Sequence, residues 1–424
     1  LTACVLADIE FTPHLLDPKR VGHESSRVCD RLAAISEELA SFTEGINLNS
    51  GKQLAKFLYE TLGFEQLRRK GEVVTTDGGA PSTSQDTIKS LVAKTKQQHR
   101  FVELYVEYNK LSEAKSKSLD FFKAVCDGHD SKFYGEFNQG VTVTHRLSSS
   151  GRPIQIGKKM KSAQLQNIPR EYKKLFTAPE GWLVGEADGS QLEFRVAADL
   201  AHDKQAISDI ENMVDVHQNT ADSYTRNGVP TTRQEAKART FSPLFGGWGS
   251  TRAEKAYRTF FVERYSGIAG MQEKWGYDVL AASDRGLRTR YGMVFYYPTC
   301  TINKWGRLSD STIIANYTIQ SLSTAEIIPI ALIHFWHRIE DKPVELFSTV
   351  HDSIISWVRE DFVEEYKELS KEAFTRDVDV FLQRVYNYQF VTPLGCGIKV
   401  GSHWGEGREA KYDWFPQKQE WVVR

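Results

Sequence analysis

Between residues 30 and 42, the apolar positions Leu32, Ile35, Leu39 and Phe42 recur at steps of three and four, the spacing of an amphipathic helix. Further on, Ser50 and Gln53 stand at capping-box spacing, and Leu54, Phe57, Leu58 and Leu62 form one apolar stripe. The run 71–86 is rich in Gly, Ser, Thr and Pro and reads as a loop. A helical pattern then covers about 86–125, laced with lysines that suit a solvated face. The pattern changes near residue 182, where 182–194 begins as an apolar strand and runs into an acidic turn. Residues 213–265 return to helical spacing. Residues 347–358 read as two short strands around a His-Asp turn, with Ile354, Ile355, Trp357 and Val358 supplying β-type side chains. Residues 360–385 read as an acidic amphipathic helix. There is no internal repeat and no low-complexity tract. Helical lobes around a small mixed sheet predict an α+β, multilobed enzyme, and 424 residues suit about two to four lobes.

Composition narrows this. Hydrophobic residues are 40% and charged residues 26%, which excludes a disordered chain, a collagen-like chain and a small disulfide scaffold. No run of about 18 apolar residues is present, so no bilayer span is expected. No secretory leader is visible, although the chain opens on Leu1 rather than Met, so this carries little weight. The five cysteines are scattered, with no CxxC and no His at zinc spacing, as expected of free thiols in a reducing compartment. Net charge is −1, so any polyanion site has to be local. One stretch qualifies: from Val141 to Lys174 there are eight basic residues and a single acid, Glu171, in a turn-rich segment suited to an extended phosphate backbone.

Three separated motifs carry the chemistry. The first is Asp188-Gly189-Ser190-Gln191-Leu192-Glu193-Phe194-Arg195, and the third is Val350-His351-Asp352-Ser353. Asp188 and Asp352 each end an apolar strand pattern, where a sheet can aim a carboxylate into a cleft. Two such acids can share a pair of divalent cations about 3.5–4 Å apart, which hold the attacking and leaving oxygens of a displacement at phosphorus. The second motif runs from Arg233 to Gly246. Thr232 and Glu235 can form a capping box, and Arg233, Lys237, Phe241 and Phe245 step by four along one helix face. Cations followed by aromatics suit a nucleoside triphosphate laid along that face.

In this order and spacing the motifs resemble motifs A, B and C of the family A DNA polymerases, whose patterns are DYSQIELR, RxxxKxxxFGxxYG and VHDE. Further segments extend the resemblance over nearly the whole chain. VLADIEFTPHLLD (5–17) is similar to the segment that opens the palm. NLNSGKQLAKFLYETLGF and APSTSQDTI resemble thumb signatures. THRLSSS (144–150) with LQNIP (165–169) resembles the TGRLSS…LQNIP that holds the primer–template duplex. DVHQNTA (215–221) resembles DIHxxTA, NYTIQSLSTAEII (316–328) resembles the NxxxQGxAAD helix, and PLGCGIKVGSHWGE resembles the family's C-terminal end.

The resemblance implies a right-hand polymerase with a small, mostly antiparallel palm sheet and helical thumb and fingers. It divides the chain into 1–40 (palm opening), 41–128 (thumb), 129–194 (palm with motif A), 195–304 (fingers with motif B) and 305–424 (palm with motif C). It makes Asp188 and Asp352 the catalytic metal carboxylates, with the Gly189 carbonyl as a further ligand of two Mg²⁺ ions, Mn²⁺ being a substitute. Arg233, Lys237 and His217 would grip the triphosphate of a dNTP. Phe241, Phe245 and Gln191 would line the nucleotide site, and Glu193 would fill the space of a 2′-hydroxyl. Arg146, Asn316 and Gln320 would meet the minor groove of primer–template DNA, and His351 the primer end. The expected protein is a cytoplasmic monomer, working with replication accessory proteins where present. Its departures and lean architecture favour a phage over a bacterium or an organelle.

The departures are specific. Gly189 replaces a Tyr, which loosens the turn after Asp188. Ser353 replaces an acid and leaves two carboxylates. Phe245 replaces a Tyr whose hydroxyl could bond Glu193, which predicts a less rigid sugar gate. Ser242-Pro243 stands where the family has Gly, and proline should kink or end the helix there. Asp8 and Glu10 form a DxE, but only about 35 residues separate it from the thumb signature, too few for a proofreading exonuclease. Two rivals are a single-subunit RNA polymerase, opposed by Glu193, and a non-catalytic DNA-binding relative, opposed by Asp188, Asp352, Arg233 and Lys237 together.

Overall fold

The computed structural model describes residues 1–43, 45–48, 50–69, 72–76, 78–304, 306 and 308–424. Its frame is a six-stranded sheet built from β1 (Trp182–Gly189), β2 (Val344–Val350), β3 (Ser353–Arg359), β4 (Leu394–Gly401), β5 (Ala410–Phe415) and β6 (Glu420–Val423). The spatial order is β2-β3-β1-β4-β5-β6, with every neighbouring pair antiparallel. β1 is interior and reads Leu-Val-Gly-Glu-Ala because both its faces are covered. Gly185 in β1 is a packing requirement: a Cβ there would fall 2.5 Å from the ring of Tyr366, which is fully buried.

Helices surround this sheet. In chain order they include α1 (Pro18–Thr43), α2 (Lys96–Ala114), α3 (Leu192–Ala201), α4 (Val216–Arg226), α5 (Arg233–Thr240), the long α6 (Ser311–Arg338) and α7 (Val363–Phe374). The main core lies between the sheet, α3, α6 and α7. A second core, around Ile35, Leu54, Phe57, Phe101 and Leu104, holds the region from the end of α1 through α2. A third, around Val279, Leu287, Phe295 and Ile314, lies beneath the hairpin Gly286–Tyr296. Separate cores make separate lobes.

Arg195 ties α3 to the sheet. It is buried, ion-pairs with Asp413 of β5 at 2.9 Å, and donates to the Pro393 carbonyl at 2.7 Å. Asp199 does the same one turn on, accepting from the amides of Val391 and Thr392 and from the Tyr388 hydroxyl. Removing either partner would strand a buried charge.

The structure corrects the sequence reading in three places. The pattern over 86–125 is not one helix: a short helix, Gln85–Lys89, ends first, and α2 restarts behind a Thr95–Gln98 capping box. The loop reading of 71–86 is only partly right, since Glu72–Val73 within it is a strand paired with Arg68–Arg69, residues 71 and 77 lying outside the described residues. The helix over 360–385 is two, broken at Thr375 with φ −125° and ψ −85°. Among the described residues α6 is long and apolar enough by length and composition to cross a membrane, yet two-thirds of its most apolar window (67%) is buried inside the fold, as a core helix would be. Asp8 and Glu10 lie on the opening helix and serve as structural acceptors, for Trp336 Nε1 at 2.9 Å and the Phe137 amide at 2.6 Å.

His14 gives this core a pH dependence. It is fully buried, stacked on Phe133 at 5.0 Å and edge-on to Phe176 and Phe347. Burial holds its imidazole down at about 3. The unfolded chain therefore takes up a proton below about 6.5 that the folded chain refuses, so this contribution is intact above that pH and is lost as pH falls. Between pH 7 and 5 the native chain should lose about 2 kcal/mol more stability than His14→Leu in urea titrations. Parallel losses would show that His14 does not titrate this way.

Candidate functional site

The site begins with strand register. Asp188 near the end of β1 pairs opposite Ser353, the first residue of β3, and opposite Gly397 of β4. The β2–β3 turn is His351-Asp352, with His351 in the left-handed region at φ +57°. That tight turn sets Asp352 beside the end of β1, where the Gly189 amide donates to the Asp352 carbonyl at 3.0 Å. The Ser353 hydroxyl donates to Asp188 Oδ1 at 2.6 Å. Ser353 thus acts as a donor to one of the two carboxylates.

The two carboxyls lie within hydrogen-bonding reach of each other. Burial pushes Asp188 well above the usual carboxylate range, the charge of Asp352 adds to this, and the Ser353 bond opposes it. Burial also raises Asp352, against opposing contributions from His351 and Arg146. Two half-buried acids held together this way attract a cation. Their hard oxygens suit Mg²⁺, and the charge repulsion between them is what a divalent ion would relieve. Among the described residues no set of three or more His, Cys, Asp or Glu side chains forms a metal cage, so any ion here relies on these two carboxylates and on its other ligands.

A cleft of about 480 Å³ brings Asp188, Gln191, His217, Arg233 and Lys237 together. Arg233 opens α5 behind the Thr232–Glu235 capping box and ion-pairs with Asp215 at 2.5 Å. Asp215 in turn caps α4 through the His217 and Gln218 amides. Lys237, one turn on, is exposed. The His217 ring lies 2.9 Å from the Thr240 hydroxyl, and burial with the nearby Arg233 and Lys237 charges pushes its imidazole below the usual histidine range, against the opposing charge of Asp215. α5 ends at Thr240, and Pro243 starts a short 3₁₀ turn, Pro243–Phe245, that Gly246 closes at φ +74°. Phe241 therefore leaves the helix face. It stacks on Phe194 at 5.4 Å and meets His217 edge-on at 5.6 Å.

A second cleft, of about 530 Å³, contains His351, Asp352 and Ser353, and Asp188 lines both. Glu193 lies in the first turn of α3 and is held by Arg146 at 3.3 Å, so its carboxylate has a partner from another element although Phe245 has no hydroxyl. Asn316 and Gln320 lie one turn apart on α6, with the Asn316 side-chain oxygen buried and unpartnered. Phe245 is half-buried against the main core and is not a wall of either cleft.

The sequence reading missed several residues. Lys399 lines both clefts beside Asp188, as does Arg170 of the basic stretch 141–174, and Lys411 and Arg424 line the first. Period-two alternation in β4 would have placed Lys399 on the Asp188 side. Gln166 was also missed: its side chain accepts from the His351 amide at 2.8 Å and donates to the Thr349 carbonyl at 3.0 Å. It clamps the β2 side of the turn that carries Asp352.

Residues 19–406 match the family described as DNA polymerase family A. The chain belongs to DNA polymerase family A. It is 26% identical over 426 residues to the thermostable DNA polymerase I of Thermus aquaticus, covering 96% of this chain and 48% of that protein. It is 28% identical over 431 residues to DNA polymerase I of Pseudomonas aeruginosa, covering 95% of this chain and 43% of that one. The chain thus spans about half the length of the curated relatives it matches. Among solved structures, the POL domain of Pol1 from M. smegmatis, in complex with DNA primer-template and dNTP, has a TM-score of 0.76 and 24% identity, covering 95% of this chain and 69% of that one. The fold of this family member is therefore an α+β polymerase domain.

The Gln166 clamp can be tested directly. Gln166→Ala should unpair the His351 amide and the Thr349 carbonyl at a local cost of about 1–3 kcal/mol. Amide exchange over 349–353 should then accelerate selectively. Unchanged exchange would mean that the turn holds itself.

Proposed function

We propose that this chain is a template-directed DNA polymerase that adds dNTPs to a primer 3′ end, with no proofreading exonuclease in the segment. The observation that carries the reading is the meeting of two clefts at Asp188, one lined by Arg233, Lys237 and His217 and the other by His351 and Asp352. One suits a triphosphate and the other a primer terminus, so an attacking oxygen and an α-phosphorus would meet beside the aspartates.

Asp188 and Asp352, with the Gly189 carbonyl, would hold two Mg²⁺ ions. Bound there, the ions supply charge neutralisation on the phosphate and acidify the primer 3′-hydroxyl. The protein's own groups then position and exclude. Arg233 and Lys237 bind phosphate oxygens, the first as a fork and the second as a point charge. His217 contributes a hydrogen bond beside these two cations. Phe241, fixed by Phe194, offers an apolar face to the incoming sugar and base, and Gln191 lines the cleft below it. Glu193 occupies the room of a 2′-hydroxyl and so selects deoxyribose. Arg146, Asn316 and Gln320 read duplex shape at the minor groove. In this reading 1–40, 129–194 and 305–424 form the palm, 41–128 the thumb and 195–304 the fingers. Closure of α5 over a matched pair would couple template fit to chemistry.

The test is primer extension with Mg²⁺ and dNTPs. Asp188→Ala and Asp352→Ala should each cut extension by at least about a hundredfold, because several kcal/mol of charge stabilisation depend on them. Duplex binding should persist in both. Full extension by either variant, or none by the unaltered chain, would overturn the reading.

A further inference from the structure

The Glu193 carboxylate and the Arg146 guanidinium are each about 30% exposed (28% and 30%) and lie 3.3 Å apart. Arg146 is itself held: its Nε donates to the Thr324 hydroxyl at 2.7 Å, and that hydroxyl donates to the Gln320 carbonyl at 2.9 Å. Thr324 is 4% exposed, so this relay is shielded from water.

Thr324 lies where α6 widens into a π segment, Ser321–Ile327. In the pattern NxxxQGxAAD the acid follows the glutamine at the fifth position, whereas here Glu326 follows Gln320 at the sixth. An extra residue in an unbroken α-helix would turn every later side chain by about 100°. The π segment absorbs it, and Glu326 keeps a partner in the Tyr386 hydroxyl at 2.6 Å. The widened turn is also where α6 presents a hydroxyl to Arg146.

We propose that Thr324 and Arg146 are positioning residues for the sugar gate. The threonine hydroxyl fixes the guanidinium, and the guanidinium fixes the Glu193 carboxylate against a 2′-hydroxyl. This arrangement does the work for which Phe245 lacks a polar atom. It rests on the polymerase reading above, and it makes one side chain, Arg146, common to the gate and the primer end.

The experiment measures kcat/KM for a dNTP and its matching rNTP in single-nucleotide extension by the whole chain. Thr324→Val keeps the shape and removes the hydroxyl. It should leave dNTP efficiency within about threefold of the unaltered chain. It should lower the preference for dNTP over rNTP by about tenfold, the scale of one hydrogen bond to a charged group. Thr324→Ser should retain the preference. Arg146→Lys, which keeps the charge but loses the fork, should lower it as Thr324→Val does, and it provides the test should the valine variant not fold. Normal dNTP extension with unchanged preference in the folded variants overturns this proposal alone. Failure of the unaltered chain to use dNTPs overturns the polymerase reading beneath it.

Discussion

Everything at this site depends on one register. β1 pairs with β3 so that Asp188 faces Ser353, and this brings the next residue back along the chain, Asp352, to the same sheet end. A slip of one residue would send Asp188 to the opposite face and separate the two acids. The register is protected from several sides. β1 is paired along both edges, Gly185 admits only a glycine-sized residue beneath Tyr366, and Gln166 pins the β2–β3 turn. The apolar burial of β1 and β3 favours one alignment, and the turn makes that alignment chemically useful.

This convergence costs stability. Burial raises the affinity of both acids for protons, and the Asp352 charge raises that of Asp188 further, so the site is a local strain that other contacts offset. The offset lies close by. Arg195 and Arg424 both clasp Asp413, and Asp199 collects two amides and a tyrosine hydroxyl, so the helix that follows Asp188 is bound firmly to the sheet. The site therefore rests on rigid elements while its own charges stay unbalanced, which suits a cationic cofactor and an anionic substrate.

Much of this was legible in the sequence because it is local. Capping boxes, the two-strand pattern around His351-Asp352, and the helix stop at Pro243 need only a few residues to specify them. Motif order and spacing carried the family, the fold class and the paired aspartates. What stayed hidden is tertiary. The Glu193–Arg146 pair joins positions 47 apart, and the Gln166 clamp joins positions 185 apart, with no pattern to announce either. The break between Gln85–Lys89 and α2 was missed because the lysine-rich pattern runs through it, while the Thr95–Gln98 cap decides where α2 starts. The burial of α6 is likewise invisible from composition, since an apolar helix reads alike inside a core or a membrane.

The measurement that bears most directly on the central claim is anomalous diffraction from crystals of this chain with primer–template DNA, a non-extendable primer end, a dNTP and Mn²⁺. The account predicts manganese peaks bridging Asp188 and Asp352, each within about 2.2 Å of a carboxylate oxygen. Peaks that touch only one aspartate, or that lie outside the two clefts, would contradict it.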